Sequence, residues 1–223
     1  MAGGGTFPGE IRIVDDVPNT FAALVATEAP ASIALSGGRT AERCYTALAA
    51  HAGIDWSAVE VFFGDERFVP VSDPDSNEGM ARRVLLDAVG PRAVHSLAEA
   101  GATVDDAATA YDALVRAAPP IELVHLGLGP DAHTASLFPG SAALTEAERL
   151  VVPNGDDAHP HPRLTFTYPA LARSPLVVFT VAGKEKRDAF ARVRAGEDLP
   201  ATHVRAAAGG RVVWLVDPDV AGT

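Results

Sequence analysis

The chain has 223 residues, 48% hydrophobic and 21% charged, so it can hide roughly 70% of its unfolded surface in a core and is neither a disordered nor a low-complexity sequence. Its 29 acidic and 18 basic residues give a net charge of −11, which argues against a general nucleic-acid binder or a protein held on an anionic membrane. The single cysteine, Cys44, leaves no internal disulfide; no apolar run approaches the roughly 18 residues of a membrane span, and Met1–Glu10 lacks the basic and apolar regions of a signal peptide, so the expected setting is the reducing cytoplasm.

Residues 1–9 read as a loose tail before a single domain over 10–223, in which strands and helices alternate. Ile11–Val14 is a predicted strand and Thr20–Thr27 a helix. Ser32–Leu35 is a strand stopped by Gly37 and Gly38. Thr40–Ala50 has helical composition and carries Cys44, read as a small buried hydrophobe. Val59–Phe63 is a strand that runs into Gly64-Asp65-Glu66-Arg67. Ser76–Ala88 is a helix with Ser76 as its cap, and Val104–Ala117 is another. Ile121–Leu126 is a buried strand, within which His125 reads as a satisfied core residue. Leu164–Thr167 and Leu176–Val181 are strands, Lys184–Arg194 a helix, and Val212–Val216 the closing strand. This alternation predicts parallel pairing through crossover helices. The fold class is α/β, a single doubly wound, mostly parallel sheet with helices on both faces, Rossmann-like. Ligands of such folds sit outside the carboxyl ends of the strands.

Three strand ends carry unusual chemistry. Ser36-Gly37-Gly38-Arg39-Thr40 lies between a strand and a helix; it is either a cradle for an anion or a tight turn capped by Thr40. It has neither the Walker spacing nor a full Gly-x-Gly-x-x-Gly. In Asp65-Glu66-Arg67, Arg67 has the planar fork that grips phosphate, while Asp65 and Glu66 either orient it or bind sugar hydroxyls; the alternative is a solvated loop with local ion pairs. Asn77 either joins that ligand or caps its helix. In Gly129-Pro130-Asp131-Ala132-His133, an Asp stands two residues before a His. A neutral imidazole is the natural general base near neutral pH, and a carboxylate beside it fixes its tautomer. Arg163, opening a strand, and Lys184, after Gly183, are further cations that either meet a phosphate or face solvent. His159 and His161 flank Pro160 without companion ligands at metal-site spacing, and Ser136 near His133 in sequence is not by itself a dyad.

These segments, in this order, resemble the glucosamine-6-phosphate isomerase/6-phosphogluconolactonase family. The resemblance runs from about Ile33 to Asp217. Its specific parts are Gly64-Asp65-Glu66-Arg67-Phe68-Val69-Pro70 and His133-Thr134-Ala135-Ser136-Leu137-Phe138-Pro139-Gly140, supported by Ser36-Gly37-Gly38, Ser76-Asn77, Pro162-Arg163, Gly183-Lys184 and Leu199-Pro200-Ala201. It implies hydrolysis of 6-phospho-D-glucono-1,5-lactone to 6-phosphogluconate in the oxidative pentose phosphate pathway, with no metal and no organic cofactor. It makes His133 the base that activates water and Asp131 its orienter. It gives Arg67 a substrate-binding role and makes Arg163 and Lys184 phosphate or sugar contacts. The one expected partner is the sugar-phosphate lactone, bound by a monomer or weak homodimer, with no nucleic acid and no membrane.

The chain departs from the family pattern in two places. Ala132 stands where the family usually has Gly; if that position needs φ > 0, alanine costs roughly 1 kcal/mol. Arg39-Thr40-Ala41 replaces the frequent Ser-Thr-Pro, adding a cation near the proposed site. The deaminase branch of the family continues after its histidine with Ile-Gly-Phe-Asn-Glu-Pro; here Thr134–Pro139 lacks that Glu. A non-catalytic sugar-phosphate sensor is the other rival, kept open by Ala132.

Overall fold

A computed structural model describes residues 7–155 and 160–222. In chain order the elements are β1 (Glu10–Ile13), α1 (Val17–Glu28), β2 (Ser32–Leu35), α2 (Arg39–Ala50), β3 (Glu60–Phe63), β4 (Asp65–Arg67), α3 (Asn77–Ala81), α4 (Asp87–Val89) and β5 (Ala93–Val94). They continue with α5 (Val104–Ala117), β6 (Leu123–Leu126), β7 (Val151–Asn154), β8 (Arg163–Phe166), α6 (Tyr168–Leu171), β9 (Leu176–Val181), α7 (Arg187–Arg194), β10 (Arg211–Val216) and α8 (Pro218–Ala221).

Seven strands form a parallel sheet in the order β1-β10-β9-β6-β2-β3-β5. Every residue of β6 and β9 is buried, as expected of apolar strands covered on both faces. From β2 the chain steps outward to β3 and β5, then returns to the other side of β2 with β6, β9 and β10. That reversal leaves a crevice at the carboxyl ends of β2 and β6, the switch point where doubly wound sheets bind ligands.

A second sheet was not anticipated from the sequence. β4, β8 and β7 pair antiparallel in the order β4-β8-β7. Residues 164–166, expected in the main sheet, belong to this one. Gly64 makes the exit: its N–H donates to Leu35 O at 2.9 Å, and its carbonyl accepts from Phe166 N at 2.7 Å. The register sets Arg67 opposite Arg163.

Other departures are local. Phe7 packs on Trp214 (5.2 Å between ring centroids) and Phe190 (6.3 Å), and the Trp214 indole donates to Pro8 O at 2.7 Å. Residues 7–9 are therefore docked rather than loose, because the stacked Phe179–Trp214 pair leaves an aromatic edge for Phe7 to cover. The helix expected over Ser76–Ala88 has its Ser76 cap, with Gly79 N donating to Ser76 Oγ at 2.9 Å, but a π turn over Arg82–Leu86 separates α3 from α4. The segment after Gly183 starts as a 3-10 turn, Lys184–Lys186, before α7 begins. Among the described residues, no helix is long and apolar enough to cross a membrane.

Candidate active site

The crevice at the switch point holds a cavity of about 230 Å³. Ser36, Gly37 and Gly38 reach it from the end of β2, Asp65 and Arg67 from β4, Asn77 from the start of α3, Gly129 and His133 from the loop after β6, and Arg163 from β8. Nine of the sequence candidates thus converge from five segments.

The loop after β6 is folded back on itself. Gly129 N donates to His133 O at 2.8 Å, and Ala132 N donates to Gly129 O at 3.0 Å. This tight turn forces Ala132 to φ 66°, the left-handed region in which the family glycine is free and alanine costs roughly 1 kcal/mol. Asp131 Oδ1 accepts from the His133 backbone N–H at 3.2 Å and from Nδ1 at 2.6 Å. Burial opposes the charge on Asp131, but the His133 imidazole and nearby backbone N–H groups outweigh it and hold the carboxyl down to about 2. Being ionised, Asp131 can only accept, so Nδ1 carries the proton of the neutral ring and Nε2 is the basic nitrogen. Phe138 meets the ring edge-on at 4.9 Å. Gly129 lies directly beneath the imidazole: a Cβ there would sit 2.2 Å from Cε1 and Nδ1.

Positive charge comes from Arg67 and Arg163, brought side by side by the β4–β8 register. Arg67 donates through Nη1 to Asp75 O, and Arg163 is only 7% exposed. The Nε atoms of both are buried with no hydrogen-bond partner among the described residues. Burial first, and then the Arg67 charge, lower the proton affinity of Arg163. Each unpaired buried donor costs about 1–3 kcal/mol, and the two guanidinium groups line the cavity with positive charge.

The third cation is not the one expected. Lys184 and Arg39 do not line this cavity. Arg39 extends into solvent and pairs with Glu185 at 3.0 Å. Lys186 lines the cavity instead, and burial lowers its pKa. The 3-10 turn after Gly183 accounts for the exchange, because it turns the third residue of the segment, not the first, toward the crevice.

Glu66 is likewise not a ligand group facing the cavity. It is fully buried beneath α3 and accepts four hydrogen bonds: from the N–H groups of Arg67 (2.7 Å), Asn77 (2.8 Å) and Glu78 (2.7 Å), and from Ser76 Oγ (3.0 Å). Burial still raises its pKa. Its role is to tie β4 to the start of α3, which carries Asn77 into the site. Asp65 does line the cavity and accepts from Ser136 Oγ at 2.8 Å, so the Ser136 hydroxyl is directed to Asp65. Asn77 Nδ2 donates to Asp65 O at 3.0 Å. The Asn77 amide also crosses Gly37 so closely that a Cβ there would lie 1.9 Å from Oδ1.

The Ser36–Gly38 turn begins α2 at Arg39, with Gly38 as the N-cap (φ 91°) in place of the expected Thr40, and no side chain caps the helix. Elsewhere, Cys44 is buried and its thiol is pushed up to about 12 by burial. His125 is a satisfied core residue bonded to Tyr45 and Thr180. His161 pairs with Asp75 at 3.0 Å, and His159 lies outside the described residues. Among the described residues, no group of three or more His, Cys, Asp or Glu side chains could hold a metal ion.

The sequence model of the glucosamine-6-phosphate isomerases/6-phosphogluconolactonase family matches residues 11–214. The chain is 41% identical over 207 residues to a 6-phosphogluconolactonase of Synechocystis, covering 86% of this chain and 84% of that protein. The crystal structure of a 6-phosphogluconolactonase from Thermotoga maritima superposes with a TM-score of 0.81 at 28% identity, over 93% of this chain and 99% of that one. A monomeric glucosamine-6-phosphate deaminase also reaches a TM-score of 0.81, covering 96% of this chain and 99% of that one, but at 17% identity, a likeness of fold alone.

Proposed function

The chain belongs to the glucosamine-6-phosphate isomerase/6-phosphogluconolactonase family, and from that premise we propose that it hydrolyses 6-phospho-D-glucono-1,5-lactone to 6-phospho-D-gluconate, as a monomer or weak homodimer of the cytoplasm. The supporting observation is the 2.6 Å Asp131–His133 bond at the rim of a cavity that Arg67, Arg163 and Lys186 also line. A general base and a seat for a dianionic phosphate are the two things this substrate requires.

The steps follow from the residues. His133 Nε2 takes a proton from water as its oxygen adds to the lactone carbonyl carbon. Asp131 stabilises the imidazolium that forms and keeps the ring aimed. The carbonyl oxygen becomes an oxyanion, for which the backbone N–H groups of the Gly37–Gly38 turn are the donors. As the tetrahedral intermediate collapses, the bond to the ring oxygen breaks, and His133 returns the proton to that oxygen. The product is an open-chain acid that ionises in water. Arg67, Arg163 and Lys186 hold the phosphate, so that binding energy far from the carbonyl fixes its position beside the water. This sequence of steps uses no metal and no organic cofactor.

The test is turnover of lactone generated in place from glucose 6-phosphate, read through 6-phosphogluconate and compared with spontaneous hydrolysis. A rate well above background that vanishes in His133→Ala is expected; a background rate from folded wild-type protein overturns the reading. Ammonia release from glucosamine 6-phosphate would move the chain to the deaminase branch.

A further inference from the structure

Beneath the Ser36–Gly38 turn lies a buried polar chain that the proposed reaction does not use. The Tyr45 hydroxyl, on α2, meets three groups: Ser36 N at 2.6 Å, Ser36 O at 3.1 Å and His125 Nδ1 at 2.9 Å. On the far side, His125 Nε2 meets Thr180 Oγ1 at 2.8 Å. Tyr45 and His125 are fully buried, and Phe21 stacks on the imidazole at 4.3 Å. The chain therefore links the carboxyl ends of β2, β6 and β9, the strands that bound the crevice.

Proton counting gives this chain a direction. Ser36 N–H can only donate, so the Tyr45 oxygen accepts from it. The phenol has one proton, which goes either to Ser36 O or to His125 Nδ1. If it goes to Ser36 O, His125 donates Nδ1–H to Tyr45, and Thr180 donates to Nε2; every group is then satisfied. If it goes to His125, the buried Ser36 carbonyl is left without this donor. The satisfied arrangement makes one phenol clamp both polar groups of the residue that opens the turn.

We infer that Tyr45 is a positioning residue, holding the backbone donors of the Ser36–Gly38 turn in place through the hydrogen-bonded chain it forms with His125 and Thr180. The inference rests on the lactonase reading, in which that turn receives the oxyanion.

The molecule supplies its own control. Tyr111 is a second buried tyrosine whose hydroxyl accepts from Phe63 N at 3.0 Å and donates to His95 O at 3.1 Å, and it does not line the cavity. Tyr45→Phe and Tyr111→Phe each strip a phenol from two backbone groups. Both are expected to lower Tm. At a temperature where both variants are folded, Tyr45→Phe is expected to lower kcat at least about tenfold with KM within about threefold, and Tyr111→Phe to keep kcat within about twofold. Unchanged kcat in Tyr45→Phe, or an equal fall in both variants, overturns the inference. Should the wild type not turn over the lactone, the reaction assignment fails, and the clamp is judged by NMR. In Tyr45→Phe, but not in Tyr111→Phe, the Ser36–Gly38 amide signals should shift and His125 should leave its Nδ1–H tautomer; unmoved signals sink it.

Discussion

Two histidines in this chain hold a carboxylate at the same distance. His133 Nδ1 lies 2.6 Å from Asp131, and His203 Nε2 lies 2.6 Å from Asp198. Their surroundings differ. The first pair stands at the switch point of the sheet, with His133 24% and Asp131 43% exposed at the side chain, and shares a cavity with Arg67, Arg163 and Lys186. The second is 53% and 95% exposed, beside a hollow lined by Pro139, Leu144, Tyr168, Leu199 and Pro200 with no Lys or Arg. A short His–Asp bond is therefore not a site. What distinguishes the first pair is the company of three cations and of the Gly37–Gly38 turn in one cavity.

That contrast can be broken or sharpened by measurement. Removing the base should have the largest effect: His133→Ala is expected to lose about a thousandfold in kcat while still binding 6-phosphogluconate, and wild-type-like kcat would end its role as base. Asp131→Asn should follow, with about a hundredfold loss in kcat, because an amide can hold the wrong tautomer; a loss confined to KM would contradict the orienting role. Arg67→Ala should raise KM for the phosphorylated lactone about tenfold with a smaller change in kcat, whereas Arg39→Ala should leave both alone; an unchanged KM for the Arg67 variant removes it from the phosphate seat.

A pH titration of stability tests a third histidine. Burial holds His125 down to about 3 in the folded chain, while the unfolded chain takes up that proton near 6.5. Between these values the unfolded state binds more protons, so stability rises with pH, and it falls by about 1.4 kcal/mol per unit as pH drops below about 6.5. Chemical denaturation at several pH values measures that slope, and its persistence in a His125→Asn variant would assign it to other groups. The smallest effect belongs to the exposed pair: His203→Ala should stay within about 0.5 kcal/mol in stability and about twofold in kcat.

The core of the fold was legible because its signals are strong. β9 and α5 fall on their expected residues: the first is a run of six buried residues, five of them apolar, and the second has a Thr103 cap and an amphipathic pattern. The antiparallel sheet was not legible, since β4 is three charged residues with no period to read, and nothing in the four residues of its partner β8 says which sheet they join. The site was readable to the level of segments. His133, Arg67 and Arg163, singled out by residue type and by their place near strand ends, do line the cavity. Telling Lys184 from Lys186 required the phase of a 3-10 turn, and recognising Glu66 as an internal tie required knowing which four donors surround it. The docking of Phe7 depends on Trp214, more than two hundred residues away, and no local pattern reports such a contact.

The close approach at Gly129 has a consequence for how the chain tolerates change. A methyl group at this position would lie 2.2 Å from the His133 ring, and one at Gly37 would overlap Asn77 at 1.9 Å. Neither glycine carries a reactive group, yet any side chain at Gly129 must push the His133 imidazole aside and any at Gly37 the Asn77 amide, so substitution at either is expected to lower activity by moving a neighbour rather than by removing a group.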